Sequence, residues 1–238
     1  FRRKSNIDVF YKDYKQTAIV ATVKHEKPHN GVAHERFRSP GPFAILPLPG
    51  NFSSLVWVEK NNSVNYLFKL ENEKFQNELQ KRFGNFLGKV EIVSPKFKYK
   101  LRLIHAKKYF AERLVLLGDA AHSIHPLAGQ NFNSTIQDIS SLVLIVKKRS
   151  LLGMDIGSAD ILKEYDNLRR PSNDRLIAMT TFLNSYFSTN SPFRKITRRL
   201  GIDIVNKVPD AKIFFMKYAG GSGVKEDTPD FSDINTFI

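Results

Sequence analysis

Residues 114–133 constrain the fold of this chain more than any other segment. The segment begins with four apolar residues, continues through Gly118 and Asp119 into a loop that contains a proline and a glycine, and ends where a helical pattern begins. Residues 114–117 are apolar on both faces, which is typical of a strand buried between two layers. We therefore expect a strand, a turn and a helix, with Asp119 at the carboxyl end of the strand, where open α/β folds bind ligands.

The residue types in this segment suit a flat ligand that carries hydroxyl groups. A carboxylate at Asp119 can accept hydrogen bonds from ribose or ribityl hydroxyls. Pro126 fixes the course of the loop, and Gly129 permits a close approach of the backbone to a ring. A helix that begins near residues 131–133 directs its free N–H groups and the positive end of its dipole at the ligand. Such a terminus suits the negative charge of a reduced flavin.

Two simpler interpretations of these residues stay open at this point. Asp119 could cap a turn or a helix without binding a ligand. His122 and His125 have a His-x-x-His spacing, but no third ligand lies nearby in the sequence. We therefore expect structural histidines and no metal site.

The net charge of +14 results from 37 Lys and Arg against 23 Asp and Glu. Such a charge can attract nucleic acid or an anionic membrane surface. The basic residues are spread along the chain without an aromatic–basic platform, so we expect no nucleic acid. The absence of cysteine excludes disulfides, thiolate metal ligands and a cysteine nucleophile. The sequence also lacks the Gly-x-Ser-x-Gly, P-loop and His-Glu-x-x-His motifs.

Hydrophobic periodicity predicts antiparallel strands followed by helices. Strands are expected from β-branched, apolar or alternating runs at residues 17–23, 34–37, 43–48, 55–58 and 97–103. Phe75, Leu79 and Phe83 form the core-facing stripe of a helix over residues 70–83. A second apolar stripe predicts a helix over residues 133–148. That stripe comprises Ile136, Ile139, Leu142, Val143, Ile145 and Val146.

The residues of the central segment resemble the second FAD-binding motif of the flavoprotein aromatic hydroxylases, the family of para-hydroxybenzoate hydroxylase. The matching positions are Gly118-Asp119-Ala120-Ala121-His122, Pro126, Gly129-Gln130, Asn133 and Asp138. Flanking segments resemble the ubiquinone-biosynthesis branch of that family, the 2-polyprenyl-6-methoxyphenol hydroxylase-like enzymes. These segments are residues 17–23, 34–37 and 41–48, with Tyr165, Arg169-Arg170-Pro171 and Asp174 in the tail. The resemblance extends from about residue 10 to about residue 221.

The resemblance implies FAD as cofactor, NADH or NADPH as reductant, and a prenylated phenol as the substrate that molecular oxygen hydroxylates. It implies that the flavin is bound by residues of the central segment, namely Gly118, Asp119, Pro126, Ala128, Gly129, Gln130, Asn131, Phe132 and Asn133. It assigns no catalytic side chain, since these enzymes need no protein nucleophile. No apolar run approaches the ~20 residues of a membrane span. We expect a cytoplasmic protein, with peripheral contact at the inner face of the membrane left open, especially through residues 194–217.

The chain departs from the family pattern in two respects. The family has Gly-Gln-Gly where this chain has Gly129-Gln130-Asn131; if that position has a positive φ, asparagine is the least costly replacement. The family also begins with a βαβ unit that carries Gly-x-Gly-x-x-Gly, and this sequence contains no such pattern. We therefore expect the carboxyl-terminal part of a hydroxylase.

The expected fold class is α+β or α/β. An antiparallel-sheet portion of a substrate domain with one helix is expected at residues 1–110, and the second FAD-binding motif of a Rossmann-like domain at 111–148. A helical region would follow at 149–221 and a flexible tail at 222–238. The N-terminal βαβ unit is expected to be absent.

Three functions remain open from the sequence. The first is the FAD-dependent hydroxylase. The second is a non-catalytic remnant, or one half of a split flavoprotein that works with a partner chain carrying the Rossmann unit or with other ubiquinone-biosynthesis proteins. The third is a basic module that binds a membrane surface or nucleic acid, whose binding would be salt-sensitive and independent of FAD.

Overall fold

The computed structural model describes residues 2, 4–126, 129–188 and 213. These residues form nine strands, four helices and a 3₁₀ turn at Gly118–Ala120. The strands are β1 Val9–His25, β2 His34–Phe37, β3 Pro42–Leu48, β4 Phe52–Lys60, β5 Val90–Ile92, β6 Phe97–Ala106, β7 Phe110–Ala111, β8 Leu114–Val115 and β9 His122–Ser123. The helices are α1 Asn61–Lys69, α2 Asn72–Phe83, α3 Gln130–Ser150 and α4 Ala159–Phe187.

The described residues divide into two compact units. Residues 13–102 and 182–188 form one, which we call the sheet unit; residues 2–12 and 103–181 form the other, the motif unit. The four functional segments predicted from the sequence, with boundaries after residues 110, 148 and 221, remain a prediction.

The sheet unit contains an antiparallel sheet in which β3, β4 and β1 are neighbours. Trp57 lies at the centre of the sheet, opposite Ile19 of β1 and Phe43 of β3. One face of these strands packs on α1 and α2, and the predicted stripe of Phe75, Leu79 and Phe83 is buried there. The predicted antiparallel sheet and this core helix are confirmed.

Helix α1 was not expected from the sequence, which predicted one helix in this region. Its buried residues are only Val64 and Leu67. A single pair at a spacing of three residues is too short a pattern to distinguish a helix from a turn. The helix is stabilised instead by packing of both side chains into the core of the sheet unit.

The predicted strand at residues 114–117 is shorter and less central than expected. Strand β8 ends at Val115, is only half buried, and pairs with β7 in a two-stranded ribbon. The chain then turns, because Gly118 has a φ of 51° and begins the 3₁₀ turn. The apolar residues of this segment pack against Tyr109, Ile145 and Tyr165, so their pattern reflects a small core beneath helices, not a strand between two layers.

Helix α3 begins three residues before the predicted start and buries a face that its sequence does not suggest. Its buried residues are Ser134, Asp138, Ser141 and Ile145. Three of the six residues of the predicted apolar stripe, Ile136, Ile139 and Val143, are exposed. An apolar stripe normally marks the buried face of a helix, so the existence of α3 is confirmed while its orientation runs against the usual rule.

Helix α4 continues through Pro171, which lies within it. The residues that it buries in the motif unit include Ile161, Tyr165, Arg169 and Asn173. None of the described helices is both long enough and apolar enough to cross a bilayer. Residues 194–217, named above for contact with a membrane, and the predicted tail at 222–238 lie outside the described residues, apart from position 213.

Candidate functional site

Asp138 is fully buried at the centre of a hydrogen-bond network in the motif unit. Its Oδ2 accepts hydrogen bonds from the backbone N–H of Gly118 at 3.2 Å and from Nε2 of His122 at 2.6 Å. Its Oδ1 accepts from Nε of Arg169 at 2.9 Å and from Nδ2 of Asn173 at 3.2 Å. One carboxylate therefore connects the turn at Gly118, strand β9 and helices α3 and α4.

The surroundings of Asp138 keep it ionised. Burial by itself would raise the pKa of this carboxyl group, but the hydrogen bonds and positive charges of His122 and Arg169 outweigh burial and lower the pKa. A buried ionised carboxylate is tolerated when it is paired and hydrogen-bonded. Asp138 is therefore a carboxylate at neutral pH.

The network holds the turn that carries Asp119 against the first turns of α3. A Cβ atom on Gly118 would lie 2.7 Å from two side-chain atoms of Thr135, so the backbone of the turn touches α3 directly. The same glycine has a positive φ of 51°, which residues with a side chain rarely adopt. The sequence therefore requires glycine here for both conformation and close approach.

The carboxylate of Asp119 is exposed on this turn and faces the start of α3. Nδ2 of Asn131 donates a hydrogen bond to Oδ1 of Asp119. Asn131 lies inside the right-handed helix and does not have a positive φ. The condition of a positive φ at this position is therefore not met in this chain; the positive φ, of 63°, belongs to Gly129.

The N-terminus of α3 lies beside Asp119, since Asn131 of its first turn contacts that carboxylate. Gly129 is its N-cap residue, and no described side chain caps it by a hydrogen bond. A helix end of this kind presents backbone N–H groups and the positive end of the dipole to an anion or an electron-rich ring. Asp119 and the helix end together can bind a ligand that combines hydroxyl groups with partial negative charge.

The other predicted flavin-binding residues occupy varied environments. Gly118 is buried, Pro126 and Phe132 are exposed, and Gln130 and Asn133 are partly buried. Ala128 lies outside the described residues. The structure brings Asp119 and Asn131 into contact, and the roles of all nine residues in flavin binding remain a prediction.

The two histidines of the segment are fully buried. His122 belongs to the Asp138 network. Burial lowers the pKa of His125 to about 4, so His125 is neutral at physiological pH. Within the described residues no cluster of three His, Asp or Glu side chains could hold a metal ion.

Sequence reasoning missed the contribution of α4 to this network. Arg169 and Asn173 donate to Asp138, and Asp166 accepts a hydrogen bond at 3.0 Å from the backbone N–H of Tyr109. These three polar residues recur at spacings of three and four. A polar stripe of this kind is a detectable signal for a buried network, although it does not reveal the partner.

Comparisons with known proteins agree with the geometry. The family model described as FAD binding domain matches residues 6–180. The chain is 45% identical over 221 residues to the ubiquinone hydroxylase UbiL of Rhodospirillum rubrum, a match that covers 93% of this chain and 52% of that protein. It is 32% identical over 241 residues to the human mitochondrial ubiquinone biosynthesis monooxygenase COQ6, covering 87% of this chain and 52% of that protein.

The fold also resembles that of solved structures. The p-nitrophenol 4-monooxygenase PnpA of Pseudomonas putida superimposes with a TM-score of 0.73 at 15% identity, over 94% of this chain and 57% of that one. The chain spans about half the length of the curated relatives it matches. Because the family model covers well over half of the chain, this protein belongs to the FAD-binding domain family.

Proposed function

We propose that this chain forms the flavin-facing part of an FAD-dependent monooxygenase that hydroxylates a prenylated phenol ring in ubiquinone biosynthesis. The observation that carries the proposal is the exposed carboxylate of Asp119, which lies beside the N-terminus of α3 on a turn bound to Asp138. The relatives named as a ubiquinone hydroxylase and a ubiquinone biosynthesis monooxygenase support the substrate class. NADH or NADPH as reductant is part of the same proposal and is typical of the family.

The residues present fit the flavin half of FAD. Asp119 is exposed, and its carboxylate can accept hydrogen bonds from ribityl hydroxyls in addition to the one from the amide of Asn131. At Gly129 a Cβ atom would meet no described atom within 4 Å, which leaves space for a ring against the backbone. The backbone N–H groups at the start of α3 would stabilise negative charge at the edge of that ring.

The cofactor and the residues of this chain would have different roles in the reaction. FAD, when bound, supplies the activation of molecular oxygen and the transfer of electrons from the nicotinamide. This chain would bind the ribityl chain through Asp119 and orient the ring by means of the Gly129 loop and α3. The Asp138 network would hold the turn that carries Asp119 in a fixed position relative to α3, because it joins the turn and the helix in one buried cluster.

Further parts of the proposal concern location and partners. We propose a cytoplasmic protein that contacts the inner, anionic face of the membrane. Such a location would suit a prenylated substrate and is supported by the net charge of +14. A further part of the FAD-binding fold, on this polypeptide or on a partner, also belongs to the proposal, because the chain spans about half the length of the relatives.

Replacing Asp119 by alanine is expected to weaken FAD binding roughly 10- to 100-fold, because hydrogen bonds to a charged group contribute about 1.5–3 kcal/mol. Quenching of flavin fluorescence during titration measures the affinity, with the chain alone and with the chain co-expressed with the missing half of a relative. Asp155→Ala is the matched control, since Asp155 is also exposed in the motif unit but pairs with Arg113 at 2.7 Å. Equal affinities of Asp119→Ala and wild type would refute the proposed role, and a wild type without flavin in both settings would refute the enzyme.

Replacing Asn131 by glycine or alanine is expected to raise the affinity for FAD about fivefold. The amide of Asn131 occupies Oδ1 of Asp119, and its removal frees one acceptor, which is worth about 1 kcal/mol. Glycine also destabilises the helix by up to about 1 kcal/mol relative to alanine, so the alanine variant separates the two effects. If neither variant binds FAD more tightly, the site is already lost and a non-catalytic remnant is the better description.

A further inference from the structure

His105 lies at the solvent-facing end of the buried polar cluster in the motif unit. It belongs to β6, and its side chain is 12% exposed. Nδ1 of its imidazole ring lies 3.5 Å from Oδ1 of Asp174, whose side chain is 53% exposed on α4. Nε2, on the other side of the ring, lies 2.9 Å from the hydroxyl of Tyr109, which is fully buried. One imidazole therefore connects an exposed carboxylate with a buried phenol.

The hydroxyl of Tyr109 connects His105 to the Asp138 network. Burial raises the pKa of Tyr109 above its ordinary value, and a hydrogen bond from the side chain of Asn173 acts on the hydroxyl in the opposite direction. Nδ2 of Asn173 also donates to Oδ1 of Asp138 at 3.2 Å, and Oδ2 of Asp138 accepts from the backbone N–H of Gly118. A continuous series of hydrogen bonds thus links His105 to the turn at Gly118.

The ionised carboxylate of Asp138 fixes the direction of each hydrogen bond in this series. A carboxylate only accepts, so the amide of Asn173 must present its NH2 group to Asp138. The oxygen of that amide accepts from the hydroxyl of Ser134 at 2.5 Å. The remaining N–H of Asn173 therefore donates to Tyr109, and the hydroxyl of Tyr109 donates its own proton to Nε2 of His105. This assignment places the imidazole proton on Nδ1, the nitrogen that faces the exposed carboxylate.

A charged His105 cannot take part in this series in the same way. Both ring nitrogens of an imidazolium are donors, so Nε2 would direct a proton at a hydroxyl that already accepts one from Asn173. The proton of Tyr109 would then lose its acceptor, and among the described residues no other acceptor contacts that hydroxyl. A buried donor without a partner is destabilising. Protonation of His105 should therefore displace Tyr109 and loosen the hydrogen bonds beyond it.

The groups that surround His105 favour its neutral form. Burial lowers its pKa, and the charges of His122 and Arg170 act in the same direction. His122 lies directly opposite on β9, and Arg170 belongs to α4. The carboxylates of Asp174 and Asp166, also on α4, oppose these effects without outweighing them. His105 is therefore neutral at physiological pH and becomes charged in acid.

We propose that His105 is a positioning residue for the turn of Gly118 and Asp119, and that it holds this turn in place only while its imidazole is neutral. Acid would charge His105, displace Tyr109 and loosen the carboxylate that binds the N–H of Gly118. The inference rests on the proposed function in one respect, because Asp119 is the residue assigned to the ribityl chain. The positioning itself can be measured in the chain without FAD.

The first measurement identifies the imidazole tautomer. In a chain with isotopically labelled histidine, long-range proton–nitrogen NMR correlation spectra distinguish a protonated Nδ1 from a protonated Nε2. The spectrum of His105→Gln assigns the signals of His105 by their loss. We expect the Nδ1–H tautomer for His105 at pH 7.5. The Nε2–H tautomer would reverse the direction of the hydrogen bond to Tyr109 and overturn the inference.

The second measurement follows hydrogen exchange of the backbone N–H of Gly118 at pH 7.5 and pH 5.5, with circular dichroism as the check of folding. We expect its protection factor in wild type to fall about tenfold more than in His105→Gln. Glutamine keeps an acceptor oxygen in place of Nε2 but does not titrate. Tyr109→Phe removes the hydroxyl that connects His105 to Asn173, so it should show the same small pH effect as His105→Gln.

Three outcomes of the exchange experiment can be told apart. His125 is unchanged in both variants, so a loss of protection common to all three proteins belongs to its titration. Equal losses in wild type and in both variants would overturn the inference, and so would a wild type in which the protection of Gly118 does not change. Flavin binding is read separately by fluorescence quenching. Its failure would refute the proposed function, whereas the exchange data alone decide the role of His105.

Discussion

Replacement of Asp138 by asparagine is expected to lower the free energy of unfolding of the motif unit by about 3–5 kcal/mol, the usual effect of removing one partner of a buried ion pair. The side chain of Arg169 is 1% exposed and would keep its charge without the carboxylate that now lies 2.9 Å from Nε. Asparagine also offers one acceptor oxygen where Asp138 offers two, so its NH2 group would face either the donor of His122 or that of Arg169. Equilibrium urea unfolding followed by far-UV circular dichroism measures the change.

Two comparisons make the Asp138 result specific. Asp155→Asn disrupts an exposed ion pair with Arg113 and should change stability by no more than about 1 kcal/mol. The double variant with Asp138→Asn and Arg169→Met should lose less free energy of unfolding than the two single variants lose together. The reason is that the double variant removes both members of the buried pair. A single Asp138→Asn variant as stable as Asp155→Asn would show that the network contributes little.

Acidification from pH 6.5 to pH 4 is expected to reduce stability by about 3 kcal/mol through His125 alone. Burial lowers the pKa of His125 from 6.5 to about 4 in the folded protein. Between these values the unfolded chain binds a proton that the folded chain does not, so stability falls as the pH falls across this window. Each unit of pKa difference corresponds to about 1.4 kcal/mol.

Two other groups define the shape of that pH profile. Burial also lowers the pKa of His105, against the opposing charge of Asp174, so His105 adds to the loss in the same direction. The lowered pKa of Asp138 acts only below the ordinary carboxyl pKa of 3.8, where the carboxylate would have to accept a proton. We therefore assign the loss of stability above pH 4 to His125 and His105.

The pH effect is measured by urea unfolding at several values between pH 7 and pH 4. The free energy of unfolding of the variant His125→Gln should depend less on pH than that of wild type, whatever its value at pH 7. His34→Gln removes a partly exposed histidine of the sheet unit and serves as the control. A wild-type profile that is flat from pH 6.5 to pH 4, or equal slopes in both variants, would contradict the assignment to His125.

The sequence predicts the sheet unit well because its pattern and its burial agree. The β-branched and apolar runs at residues 17–23 and 55–58 lie within β1 and β4, which pair antiparallel. The spacing of Phe75, Leu79 and Phe83 matches the buried face of α2. In both cases apolar residues face the core of the same unit. Local periodicity is then sufficient to place the side chains.

The motif unit is predicted less well because its buried interior is partly polar. The helix rule would place Ile136 and Ile139 inside, yet Asp138 and Ser134 are buried instead. No local pattern shows that Asp138 will meet Arg169, 31 residues along the chain. The resemblance to a family identified Asp119 and Asp138, whereas the geometry that joins them through Gly118 required the structure.

The hydrogen bonds of Asp138 close short loops in the chain, of 16 to 35 residues. The hydrogen bond from Asn184 to Gln16 in the sheet unit closes a loop of 168 residues. The entropic cost of closing a loop rises by about 0.6 kcal/mol with each doubling of its length. Closing the loop of 168 residues therefore costs roughly 1.4 kcal/mol more than closing the loop of 35 residues. The buried polar cluster around Asp138 is therefore assembled from neighbours in the chain, at a small loss of chain entropy.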